Sequence, residues 1–218
     1  MVAGAARSTS TRVAVFAAYA AQGLGYAVVV TSLPALKQRQ GVDDTVVTLI
    51  VLGVAIAAAG GSVLANALAV RFGSRTALVV GLLLQAAALP AIALPTPFPL
   101  FVSLFAVYGI GLGCVDAATA MQGVIVQRAH GKPLLGGFFS AYTAAATAGA
   151  LLVSAIAASP FAAGVAIGTA GVAILVVAVV GIRLFAREVP IETALPAGDK
   201  VEFHRLSPSA ESSVRRLS

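Results

Sequence analysis

The sequence predicts an all-α integral membrane protein with six transmembrane helices, arranged as two inverted three-helix repeats. Three observations carry this reading. Of 218 residues, 59% are hydrophobic and 10% charged, whereas soluble domains hold about 25% charged residues. Six apolar segments fall at 13–36, 46–70, 76–95, 100–127, 134–159 and 161–186, each long enough for the ~20 residues that cross the hydrocarbon. Lys and Arg gather in alternate loops, the signature of a fixed membrane orientation. The runs are too long, and too free of alternation, for a membrane β-barrel.

Residues 1–12 are short, small and polar, with Arg7 and Arg12, and read as a cytoplasmic N-terminus. The alternative is the start of a signal peptide cleaved near Ala18-Tyr19-Ala20, but the apolar stretch runs on from Val13 to Leu36, past an h-region of about 7–15 residues. Segment 1 carries Gln22 and Tyr26 one turn apart, then Thr31 and Ser32. Lys37 to Asp44 breaks it. Segment 2 has small residues at every fourth position: Gly53, Ala57, Gly61, Ala65, Ala69. Such a stripe is helix-packing glue or, alternatively, a sliding interface between two bundles. Arg71-Phe72-Gly73-Ser74-Arg75 turns into segment 3, which holds one Gln, Gln85, and a kink-prone Pro90. The prolines 95, 97 and 99 turn into segment 4. Arg128 to Pro133 leads to segment 5, with a second stripe (Gly137, Ala141, Ala145, Gly149) and Ser140, Thr143 and Thr147 on one face beside Tyr142. Ser159-Pro160 is the slightest break, and segment 6 has only Thr169 between Phe161 and Ile182. Segments 3 and 6 therefore read as lipid-facing supports, and 1, 4 and 5 as cavity walls. Residues 187–218 are polar, with three prolines, and read as a disordered cytoplasmic tail. Their last four residues, Arg215-Arg216-Leu217-Ser218, form a basic end.

Arg7 and Arg12, Arg71 and Arg75, Arg128 and Lys132, and Arg183 and Arg187 share one side. Lys37 and Arg39, offset by Asp43 and Asp44, stand on the other. Positive charge marks the inside, so both termini are expected in the cytoplasm and the chain in the cytoplasmic membrane. The net charge of +6 thus reports topology and needs no nucleic-acid partner. Gly23-Leu24-Gly25 recurs as Gly111-Leu112-Gly113, and Ala59-Gly60 as Ala148-Gly149, at offsets of 88 and 89. Matching offsets indicate a duplicated unit, and an odd number of helices per unit inverts its copy.

The chemistry concentrates in segment 4. Asp116 is the one charged side chain well inside an apolar run. A mid-bilayer carboxylate costs about 2.5–3.5 kcal/mol on insertion scales and usually faces a cavity or a partner. Gly109, Gly111 and Gly113 thin the helix before it; Thr119 and Gln122 follow at i+3 and i+6. Asp116 is thus a candidate cavity-wall acid or, more plainly, a packing residue bonded to a neighbouring helix. Cys114 is the single cysteine, and His130 and His204 lie in loop and tail with no HExxH or paired spacing between them, so no metal site, disulfide or cofactor is expected. No nucleophile–base pair or phosphate loop points to an enzyme.

Asn66-Ala-Leu-Ala-Val-Arg-Phe-Gly-Ser-Arg75 resembles the loop 2–3 signature of the major facilitator superfamily, close to G-x-L-A-D-R-x-G-R-R. Arg71, Gly73 and Arg75 match; Asn66 and Val70 replace its first Gly and its Asp. Pro34-Ala35-Leu36-Lys37, Gly111-Leu-Gly-Cys-Val-Asp116 with Gln122, and Gly131-Lys132-Pro133 resemble a bacterial branch near the fucose-permease-like transporters, with Ala120 and Ser140 where typical members carry Asn and His. The resemblance covers about residues 13–186. It implies the N-terminal six-helix half of a twelve-helix transporter, moving a small solute by alternating access, with Asp116 as the substrate- or proton-coupling acid. Gln22, Tyr26, Thr119 and Gln122 would shape its site, and Arg71, Gly73 and Arg75 would form the cytoplasmic gate loop. The missing half would come from a homodimer or a second transporter half, or the chain is a truncated transporter. The alternative function is a non-transporting membrane interaction or assembly protein derived from such a half.

Overall fold

A backbone in hydrocarbon must satisfy its own hydrogen bonds, so each apolar segment folds as a helix. The computed structural model describes residues 2–159 and 161–186, with side chains from residue 9 onward. The 187–218 tail, with its basic end, and Pro160 of the Ser159-Pro160 break lie outside the described residues. Six helices follow in order: α1 (Val2–Gln40), α2 (Asp44–Phe72), α3 (Ser74–Ala93), α4 (Phe98–His130), α5 (Leu135–Ile156) and α6 (Ala162–Leu184). All six are long and apolar enough to cross a membrane, and the protein is a multi-pass membrane protein. The first helix starts at Val2, well before the expected apolar boundary at 13. The Ala-, Ser- and Thr-rich lead-in contains no proline to stop a helix propagating backward.

Local chemistry sets the breaks. Asp43 is extended and its Oδ1 accepts the Val46 N–H at 2.8 Å, capping α2. Gly73 ends α2 and begins α3 in a single residue. Its φ of +87° and ψ of 152° lie in a region essentially reserved for glycine. Gly73→Ala is expected to cost about 1–3 kcal/mol, seen as a lower thermal midpoint in detergent. Gly131, at φ +62°, closes α4 in the left-handed conformation. The slight break at Ser159 is real: its Oγ accepts the Phe161 N–H at 3.3 Å and α6 restarts at Ala162. Pro90 stays inside α3, and its ring rests on Gly171 of α6, where a Cβ would fall 2.8 Å from Pro90 Cδ.

The two three-helix units pack with matching partners. α2 lies on α4 as α5 lies on α1; α3 lies on α4 as α6 lies on α1; and α3 and α6 pair with each other. Glycines mark the equivalent crossings. Gly61 on α2 abuts Ile110 and Cys114 of α4, and Gly149 on α5 abuts Leu24 and Val28 of α1. Gly60 meets nothing within 4 Å. The partner of Gly149 is therefore Gly61, not Gly60, and the crossings equate Leu24 and Val28 with Ile110 and Cys114, an offset of 86. Gly23, which seats on α5, answers to Gly109, which seats on α2, and not to Gly111, which meets Gln85 and Gly81 of α3. The small-residue stripes are packing surfaces: Gly109 and Gly113 seat on α2 at Val54, Ala57 and Ala58, and Gly23 seats on the Tyr142 backbone of α5.

The core is built from α1, α3, α4 and α6. In the most apolar windows, 56% of α1 and 50% of α3 are buried, against 6% of α2 and 11% of α5. Helix 3 is thus more than a lipid-facing support, because its inner face carries buried Leu78, Leu82, Gln85 and Leu89. At the end holding loops 1–2 and 3–4, Arg39 donates to the carbonyls of Ile92 and Ala93 at 2.7 and 2.8 Å, closing the last turn of α3. Gln40 donates to the Thr96 carbonyl at 3.1 Å. Lys37 pairs with Asp44 at 2.5 Å.

Candidate functional site

Asp116 sits on the exposed face of α4, near the middle of a 33-residue helix. The residues beside it, Cys114, Val115, Ala118 and Thr119, are buried. Cys114 points the other way and its thiol donates to the Ala77 carbonyl of α3 at 3.3 Å. The helix therefore turns one polar group outward from an otherwise packed face.

A hydrogen-bond chain from three helices holds that group. Gln22 Nε2 of α1 donates to Asp116 Oδ1 at 2.8 Å and to the Leu112 carbonyl at 3.3 Å. Gln22 Oε1 accepts from Gln85 Nε2 of α3 at 2.7 Å. Gln22 and Gln85 are 2% and 0% exposed, so the chain runs from the core to the open face and ends on the carboxylate. Gln85 fixes which end of the Gln22 amide meets the acid: with its oxygen engaged by Gln85, Gln22 can offer Asp116 only N–H groups. Glycines make the crossing possible. A Cβ at Gly25 would fall 3.8 Å from Gln85 Oε1, and one at Gly111 would fall 3.0 Å from Gln85 Cγ.

The other expected residues divide into two groups. Tyr26 is 44% exposed, one turn beyond Gln22 on the same helix. Thr119 is buried, and its hydroxyl bonds back to the Val115 carbonyl at 2.7 Å and contacts the Asp116 carbonyl at 3.1 Å. It shapes the helix beside Asp116 without offering a donor outward. Gln122 is not brought to Asp116. It is fully buried, donates to Ser74 Oγ at 2.8 Å and to the Ala186 carbonyl at 3.1 Å, and accepts the Ala186 N–H at 2.9 Å. Six residues turn a helix by about 600°, which leaves Gln122 about a third of a turn round from Asp116. Gln122 thus ties α4 to the start of α3 and the end of α6, next to the Arg71–Arg75 loop. In that loop Arg71 is exposed, with its guanidinium 5.3 Å over the Phe72 ring, and Arg75 is half-buried. Val70, in the position of the signature Asp, is 82% exposed.

Two groups escaped the sequence reading. Gln85 looked isolated in an apolar helix; its being the sole polar side chain between Thr76 and Pro90 was the available signal. Tyr108 is 2% exposed, and its hydroxyl has no hydrogen-bond partner among the described residues. On α5, Ser140, Thr143 and Thr147 are exposed and line a shallow groove of about 480 Å3 with Gly136, Phe139 and Ala144. Each hydroxyl is spent on the carbonyl four residues back, at 2.9–3.0 Å. No cluster of three or more His, Cys, Asp or Glu side chains with metal-holding geometry occurs among the described residues.

The family model of the Major Facilitator Superfamily matches residues 15–216. The chain belongs to that superfamily. An uncharacterized MFS-type transporter of Yersinia pestis is 30% identical over 154 residues, which cover 70% of this chain and 39% of the relative. The chain therefore spans well under half the length of that relative. Its six helices and paired repeats are half of the superfamily fold.

Proposed function

We propose that this bundle takes part in moving a small solute across the cytoplasmic membrane by alternating access, rocking against a second six-helix bundle that is either another copy or a separate half. Both termini face the cytoplasm in this reading, supported by the alternating charge pattern. The observation that carries it is Asp116: a carboxylate at mid-helix, exposed on the open face, and held by an amide chain rooted in the core. An acid kept only for packing would have its oxygens consumed by its neighbours. Asp116 has one oxygen engaged, Oδ1 by Gln22, and no ion-pair partner among the described residues. Asp116 is the proton- or substrate-coupling group, Gln22 orients it, and Tyr26 and Thr119 shape its surroundings. The Arg71–Arg75 loop, rigidified at Gly73 and anchored through Ser74 to Gln122, serves the cytoplasmic gate.

The test is uptake by cells expressing the protein, against a panel of labelled solutes, with and without an imposed proton gradient. Asp116→Asn is expected to reduce proton-driven uptake to near background while the membrane-inserted amount stays unchanged. Full uptake by that variant would remove Asp116 from coupling. Absence of any uptake by the parent, together with stable binding of a membrane partner, would favour the interaction-protein alternative.

A further inference from the structure

The chain has four tyrosines and no tryptophan. Membrane helices usually place such residues in belts at the two interfaces. Here they gather about the acid instead. Tyr19 is buried with its ring stacked 5.4 Å from Phe138 and, like Tyr108, carries a buried hydroxyl without a hydrogen-bond partner among the described residues; its stacked ring has no face to offer. Three remain. Tyr26 is exposed one turn beyond Gln22. Tyr142 is half-buried on α5, with its backbone carbonyl against Gly23, the neighbour of Gln22. Tyr108 lies two turns before Asp116 on α4 and brings a buried hydroxyl without a partner among the described residues. Tyr142 is within electrostatic range of Asp116 and Tyr26, and Tyr108 is within range of all three.

The rest of the site has little to offer a neutral, hydroxyl-rich solute. Both N–H groups of Gln22 are taken, by Asp116 and by Leu112. The hydroxyls of Thr119, Ser140, Thr143 and Thr147 donate to carbonyls of their own helices. Apart from the tyrosine hydroxyls, what faces outward is acceptor oxygen, aromatic face and one carboxylate. An anion would be repelled. Among the described residues Arg12 lies in the early part of α1, the other Lys and Arg side chains stand at helix ends or in loops, and none of them pairs with the acid. A cation completes it on two counts, by pairing with the carboxylate and by resting on the electron-rich ring faces.

We propose that Asp116, Tyr26, Tyr142 and Tyr108 form a binding site for an organic cation, such as a protonated amine, a guanidinium or a quaternary ammonium group. Asp116 supplies the counter-charge, Tyr26 and Tyr142 supply ring faces at the opening, and Tyr108 forms the floor. Gln85, acting through Gln22, positions the carboxylate. The inference rests on the transport reading only in naming what the same site would take.

The test is equilibrium binding of tetraphenylphosphonium, a fixed-charge cation, to the full chain in phosphatidylcholine nanodiscs. Saturable binding is expected. Asp116→Asn should weaken it about tenfold or more and Asp116→Glu should largely keep it. Tyr26→Ala and Tyr142→Ala should each weaken it about three- to tenfold, while the Phe variants bind like the parent. Elution profiles confirm that each variant is folded, and the tyrosine variants decide the matter should Asp116→Asn not be. No saturable binding, or equal binding by the parent and Asp116→Asn, would overturn the cation site. Uptake that depends on Asp116 without cation binding would keep transport and discard the cation. Cation binding without uptake of any solute would keep the site and discard transport.

Discussion

Gly113→Ala is expected to force α2 and α4 apart. A Cβ at this position would fall far inside van der Waals contact with the Ala58 carbonyl oxygen, with Ala58 Cα only 2.8 Å away. These are backbone atoms in a neighbouring helix and cannot rotate aside as the tip of a long side chain would. Overpacking of this kind costs about 1–3 kcal/mol, and a backbone clash belongs at the upper end. The thermal midpoint in detergent should fall by about 6–12 °C. Gly23→Ala, at the corresponding crossing of α1 on α5, meets the Tyr142 carbonyl and should do similar damage. Gly60→Ala is the control: it has open space around it, and gains helix propensity of about 1 kcal/mol. If Gly113→Ala and Gly60→Ala melt together, the close approach of α2 to α4 is not what holds this interface.

Gln122→Leu should destabilise the opposite end of the bundle and leave the acid site working. The amide makes three bonds, two to the Ala186 backbone and one to Ser74. A buried polar group stripped of its partner costs about 1–3 kcal/mol, and Ala186 would lose both a donor and an acceptor bond. A loss of about 2–4 kcal/mol overall is expected, together with faster hydrogen exchange at the Ala186 amide. Tetraphenylphosphonium binding should be unchanged in protein that remains folded. If binding is lost while the amide stays protected, Gln122 belongs with Asp116 after all, as its place in the sequence first indicated.

The six helices were legible because length and hydropathy leave a membrane segment few alternatives, and the loop charges sorted those segments into two sides. The repeat was legible in outline but not in register. Its errors lay in taking Gly60 rather than Gly61 and Gly111 rather than Gly109, since nearby glycines look alike until each is seen against its neighbour. Asp116 stood out because a charge in hydrocarbon is costly enough to need a reason. What surrounds it was harder to read. Gln122 joined the polar band because the band was drawn wide; side-chain direction at i+6 argues against sharing a face. Gln85 was passed over because a single amide in an apolar helix carries no periodicity. Its meaning lies in where α1 crosses α3, a tertiary relation that no local pattern encodes. The tyrosines likewise have ordinary spacings within their own helices and become a cluster only when α1, α4 and α5 are brought together.

Arg39 bears on how the chain reaches its orientation. During insertion, before α3 has packed, its guanidinium is an ordinary free charge on the side that should carry few. Once folded, it is absorbed by the carbonyls of Ile92 and Ala93, where a helix end concentrates partial negative charge. Its neighbour Lys37 is cancelled by Asp44. The formal charges remain, but each is held on a fixed partner in the finished bundle. Arg39 opposes the proposed orientation while the polypeptide is being threaded, and in the folded bundle the same guanidinium ties the end of α1 to the end of α3.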